Sequence, residues 1–158
     1  MPKSIFVHRM LVRNLLTFAH NASIVPLLYV FFGIRPGWTV LLAPVGLLIV
    51  VIAGFWVGLL VGTLCARFRD LPQIVASGMQ IAFFVTPVMW KPDQLPPQVA
   101  WIVEWNPLAN WLRLIREPLF GTMPSASAYA KGVAVLLLGF VITIPVFARY
   151  RSRIVYWL

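Results

Sequence analysis

Acidic residues are almost missing from this 158-residue chain: Asp70, Asp93, Glu104 and Glu117 are the only four, and charged residues of both signs make up 11%. A water-soluble domain carries about a quarter charged residues, so that class is excluded. Cysteine is down to one, Cys65, which rules out an internal disulfide and leaves a small packing residue in an apolar stretch. The two histidines, His8 and His20, have neither a carboxylate nor a second histidine at ligand spacing, so no metal site is expected. The patterns H-E-x-x-H, G-x-S-x-G and G-x-x-x-x-G-K-[ST] are absent as well. No catalytic residue and no cofactor are expected, and the chain is read as a non-enzyme that does not hydrolyse ATP itself.

What is present is apolar: 61% hydrophobic residues and a mean hydropathy of +0.88, which place the chain in a membrane. The net charge of +9 comes from 13 lysines and arginines. Beside membrane spans such residues set topology and meet anionic lipid, so nucleic acid is not the expected partner and membrane lipid is. The expected fold is all-α, a polytopic helix bundle forming a single membrane domain over residues 1–158, with about four spans.

Residues 1–18 read as an amphipathic helix. Val7, Leu11, Leu15 and Phe18 recur on one face, while Arg9, Arg13 and His20 fall on another. Such a helix lies on the membrane surface or packs on a partner. Spans are expected at 19–34, 38–66, 71–90 and 128–148. The second is the clearest, and its Gly54, Gly58 and Gly62 at every fourth position leave a face bare of side chains for another helix to approach. The third opens on Asp70 and Pro72, good residues for a helix start because Asp accepts free amides and Pro needs no donor. Lys131 lies close enough to one end of the fourth to snorkel outward.

Residues 91–127 hold six charged residues and six prolines, too polar to face lipid. Two short helices that dip into the outer face and return fit this segment. With four spans, Lys3, Arg9, Arg13, Arg67, Arg69, Arg149, Arg151 and Arg153 share one side and Arg35, Lys91, Arg113, Arg116 and Lys131 the other. Counting the acids leaves +7 against +2, so the first side, with both termini, is expected in the cytoplasm.

Two stretches carry more than generic membrane character. One is Arg67-Phe68-Arg69-Asp70-Leu71-Pro72-Gln73, leading to Phe83-Phe84-Val85-Thr86-Pro87-Val88-Met89-Trp90. The other is Glu104-Trp105-Asn106-Pro107-Leu108-Ala109-Asn110-Trp111, followed by Arg113-Leu114-Ile115-Arg116-Glu117-Pro118-Leu119-Phe120-Gly121. In this order they closely resemble the C-terminal part of the ABC type-2 permeases of bacteria that export polysaccharide, including O-antigen, capsule and teichoic acid. Arg13-Asn14-Leu15 and His20-Asn21 are similar to the cytoplasmic segment before that family's third span.

The resemblance implies a permease subunit in the bacterial inner membrane. It would work as a homodimer with a separate cytoplasmic ABC ATPase dimer, moving a lipid-linked glycan outward. Carried over residue by residue, it places Arg9, Arg13, Asn14, His20, Asn21, Arg67, Arg69 and Asp70 at the ATPase-coupling end. It places Trp90, Trp101, Trp105, Asn106, Pro107, Trp111, Arg113 and Arg116 in the outer gate and substrate path. Plainer roles stand beside these: Arg67 and Arg69 as topology anchors, the tryptophans as an interfacial belt, and Arg113 and Arg116 as partners of Glu104 or Glu117 rather than of a diphosphate. Full members of the family carry two further spans ahead of the matching segment, so a truncated form is expected. A non-transporting small membrane protein or permease remnant is the alternative, and a drug or lipid exporter of the same architecture is a third.

Overall fold

The computed structural model describes residues 4–33, 35–90, 92–94, 96, 98 and 100–150, and its regular elements there are all helices. They are α1 (Ser4–Ala22), α2 (Ile24–Phe31), α3 (Ala43–Arg67, entered through a 3-10 turn at Trp38–Leu42), α4 (Leu71–Val85), α5 (Ala100–Trp105), α6 (Pro107–Leu119) and α7 (Ala126–Tyr150). A short 3-10 turn, Pro92–Gln94, lies between α4 and α5. The all-α expectation is met. Three stretches are long and apolar enough to cross a membrane: Ile5–Phe31, Trp38–Arg67 and Ala126–Tyr150.

Two boundaries differ from the sequence reading. The helix expected to end at residue 18 runs on to Ala22, and α1 with α2 forms one nearly continuous rod. Its break falls at Ser23 because Pro26, lacking an N–H, leaves the Ala22 carbonyl without its i+4 donor. Ser23 turns its own hydroxyl back onto the His20 carbonyl at 2.6 Å. Of the two placements open to an amphipathic helix, α1 takes the partner helix. Its apolar stripe lies on the glycine face of α3, with Val7 and Met10 at Gly58 and Leu11 at Gly54. Gly62 has open space around it among the described residues.

The second difference is α4, which stops at Val85 rather than reaching Trp90. The residue before Pro87 is pushed out of helical geometry, and Thr86 is extended with ψ 134. At about 1.5 Å per residue the 15 helical residues give roughly 22 Å, short of the roughly 30 Å hydrocarbon core. None of α4 is buried. Asp70 precedes it without a side-chain capping bond, so the expected Asp cap is not made.

The centre of the molecule is α3, α6 and α7. The two long helices run parallel, with the Trp56 ring lying against Gly139 and Phe55 beside Phe140 at 6.5 Å. At their N-terminal ends α6 is wedged between them. Leu114, fully buried, faces Gly46 of α3 through its backbone and Gly132 of α7 through its side chain. Pro118 explains part of this fit, since residue 118 has no N–H to offer the Leu114 carbonyl. That carbonyl approaches Gly46, where a Cβ would collide with it. Ala53, Trp111, Leu114 and Ala128 form the core cluster.

Candidate functional site

The polar segment after α4 is organised by asparagines. Asn106 caps α6, its Oδ1 accepting the Leu108 amide at 2.9 Å and the Ala109 amide at 3.4 Å, and Pro107 follows where no donor is needed. Its Nδ2 donates to the Thr86 hydroxyl at 3.1 Å, tying α6 to the exit of α4. Buried Asn110 donates to the Ala128 carbonyl of α7 at 2.9 Å. Arg116 donates to the Pro87 carbonyl at 3.2 Å and lies over the Phe120 ring at 5.6 Å. Thr39 donates to the Pro118 carbonyl at 3.2 Å, and Tyr29 to the Leu119 carbonyl at 2.6 Å. Beyond the cap, these bonds join α6 to the turn after α4, to α7, to the 3-10 turn before α3 and to α2, so the segment is fixed to the bundle along its whole length.

A cleft of about 360 Å³ opens between α5, α6 and the start of α7, with Glu104, Asn110, Arg113, Ser125, Ser127 and Lys131 on its walls. Lys131 pairs with Glu104 at 3.2 Å and sits 5.8 Å from the Trp105 ring centre, while Arg113 pairs with Glu117 at 3.0 Å. Trp105 is exposed beside it at 77%, and Trp101, one turn earlier on α5, is exposed at 60%. Trp111 turns inward and is buried, and Trp90 donates to the Phe84 carbonyl at 3.1 Å at the end of α4. The eight outer residues singled out from the sequence therefore split. Arg113 lines the cleft and Trp105 stands beside its Lys131, Trp101 is exposed on α5, and Trp90, Asn106, Pro107, Trp111 and Arg116 cap or hold helices. Lys131, Ser125 and Ser127 were not singled out for this site, because small hydroxyls and a lysine at a span end carry no distinguishing pattern.

At the opposite end of α3, about 36 Å away along the helix, lies the loop with Arg67, Arg69 and Asp70. Arg67 stands over Phe68 at 5.4 Å and Tyr150 of α7 at 5.8 Å, and Arg69 and Asp70 are exposed. The other five coupling candidates are not brought to this loop. Arg9, Arg13, Asn14, His20 and Asn21 are exposed on α1 and spread over about 18 Å of its length. By the register of Val7 and Leu11 on Gly58 and Gly54, His20 and Asn21 lie level with the start of α3, the α6 end. Among the described residues no cluster of three or more His, Cys, Asp or Glu is placed to hold a metal.

The sequence profile of the ABC-2 type transporter family matches residues 1–120. The chain is 30% identical over 140 residues to an O-antigen export system permease protein RfbA of Klebsiella pneumoniae, covering 84% of this chain and 52% of that protein. A second RfbA of the same species is 31% identical over 105 residues, covering 62% and 39%. The chain thus spans about half the length of the first relative and less of the second. Three apolar stretches of spanning length and this match make it a multi-pass inner-membrane protein. The chain belongs to the ABC-2 type transporter family.

Proposed function

We propose that the chain acts in the permease of an ATP-driven exporter that moves lipid-linked polysaccharide of the O-antigen type outward across the inner membrane. The likeness to O-antigen export permeases over 84% of the chain carries this reading. The geometry supports it in two ways. Exposed Trp105 beside a polar cleft suits sugar rings, which stack on flat aromatic faces and bind through hydroxyl and charged neighbours. The basic loop at Arg67 and Arg69 is separated from that cleft by the full length of α3, as input and output ends of one machine require. A separate ATPase dimer supplies the energy at the Arg67–Asp70 end, two permease copies form the path, and both termini face the cytoplasm.

The test is genetic and biochemical. Deleting the gene in its host should remove the polysaccharide from the cell surface and leave lipid-linked glycan inside the cell. Arg69→Glu should abolish copurification of its partner ATPase while the permease still accumulates in the membrane. Unchanged surface glycan in the deletion strain would sink the exporter reading, and unchanged ATPase binding in Arg69→Glu would sink the coupling role of the loop.

A further inference from the structure

Two apolar depressions on the outside of the bundle share Val25, Tyr29, Val40 and Leu119 and therefore form one trough, of about 590 and 280 Å³ in its two parts. It runs along α1 and α2 from Phe18 to Phe32, which at about 1.5 Å per residue is roughly 21 Å. One leaflet's share of a 30 Å core is about 15 Å, so the trough is longer than the stretch one acyl chain occupies in a leaflet and has room to seat it. The walls carry one charged side chain, Arg35, and it stands at the end where α2 turns into α3. Tyr29, the only other titratable group there among the described residues, has its hydroxyl committed to the Leu119 carbonyl. Arg35 is exposed, and neither ion pair found among the described residues involves it.

We infer that this trough is a binding site for an anionic phospholipid, with one acyl chain between α2, α3 and the end of α6 and the headgroup phosphate on Arg35. The inference does not depend on the exporter reading, only on the chain being embedded in a membrane. An apolar trough facing the bilayer fills with hydrocarbon, because neither water nor vacuum competes there. A lone guanidinium at the end of a span lies at headgroup depth, where its planar fork matches phosphate oxygens. Zwitterionic lipid fills the trough as well but gains less from Arg35, since its own cation offsets the phosphate. The charge difference near a membrane surface corresponds to about a five-fold preference.

The test uses the full chain purified in neutral detergent. Native mass spectrometry titrates palmitoyl-oleoyl phosphatidylglycerol against the matching phosphatidylcholine, and a photo-crosslinkable phosphatidylglycerol is mapped by peptide. About five-fold tighter binding of phosphatidylglycerol is expected, lost in Arg35→Gln and kept in Arg35→Lys, with crosslinks on residues 18–40 and 119–121. Equal binding of the two lipids, or an unchanged preference in Arg35→Gln, overturns the proposal. So does full competition by inorganic phosphate, which would make Arg35 an anion site without a chain. Preferred binding of a polyprenyl phosphate, or crosslinks from Leu28 to a second copy, would give the trough a different occupant and overturn it too. Arg35 is exposed, so its replacement leaves the packing intact; should that variant fail to fold, the wild-type crosslink map decides alone.

Discussion

Replacing Gly46 with alanine adds one methyl group at the point where α6 meets α3, and that Cβ would overlap the Leu114 carbonyl. The obstacle is backbone, held in place by Asn110 on α7, Arg116 on Pro87 and the Pro118 carbonyl on Thr39, so it cannot rotate away as a side chain would. Overpacking of this kind costs roughly 1–3 kcal/mol, and a rigid obstacle belongs at the upper end. Alanine in a helix regains up to about 1 kcal/mol over glycine, leaving a net loss of about 2 kcal/mol. Gly62 on the same helix has open space around it among the described residues, so Gly62→Ala should be neutral or stabilising by up to about 1 kcal/mol. Gly132→Ala falls between, because its Cβ meets the far end of the Leu114 side chain at 3.0 Å, which can shift. Reversible unfolding in mixed detergent micelles, followed by far-ultraviolet circular dichroism, should rank stability as Gly62→Ala, then Gly132→Ala, then Gly46→Ala, with the extremes about 3 kcal/mol apart. A Gly46→Ala variant as stable as Gly62→Ala would refute the close seating of α6 on α3.

Three other substitutions probe the same segment. Asn110→Leu removes a buried donor at 2.9 Å and leaves the Ala128 carbonyl without that side-chain donor, so the same unfolding assay should show a loss of about 1–2 kcal/mol. Asn106→Ala removes both the α6 cap and the bond to Thr86, costing about 1 kcal/mol and raising amide hydrogen exchange selectively at Leu108 and Ala109. Lys131→Gln breaks an ion pair whose side chains are 41% and 64% exposed, so stability should move by less than about 0.5 kcal/mol and the change should vanish at high salt.

Helix type was legible because it rests on composition: a run such as 38–66, with nothing ionisable but Cys65, forms a helix of spanning length and little else. The break after α4 was half legible. Pro87 carries a signal for it within the expected 71–90 span, but that Trp90 would donate to the Phe84 carbonyl and that α4 would be too short to span alone needed the chain path beyond Pro87. Glycine packing was legible only where it was periodic. The repeat drew attention to Gly54, Gly58 and Gly62, whereas Gly46 and Gly139 make the tightest approaches and were not part of it, because each answers one bulky feature of another helix. In the outer segment, Asn106 was singled out by the family resemblance as a gate residue and turns out to cap α6, while Lys131 joined the cleft only through a partner 27 residues away.

The same distinction bears on how motion would travel through the molecule. Periodic glycines give α1 a smooth surface on α3 along which a small axial slide meets the ends of Val7, Met10 and Leu11 and the edge contact of His8 with Phe55. The contacts of α6 do not slide. Leu114 is seated between two glycines on two helices, and Asn106 and Arg116 hold both sides of the turn at Thr86 and Pro87. Packed interfaces of that kind move as a unit or jump between discrete arrangements rather than deforming smoothly. On the exporter reading, a displacement applied at Arg67, where α3 meets Tyr150 of α7, would therefore reach α6 undamped and shift the cleft beside Trp105, while α1 could stay behind. A cysteine pair joining α3 to α6 near Gly46 and Leu114 should then leave surface glycan export unchanged, whereas a pair joining α1 to α3 near Leu11 and Gly54 should block it. The opposite pattern would show that the moving joint lies at α6.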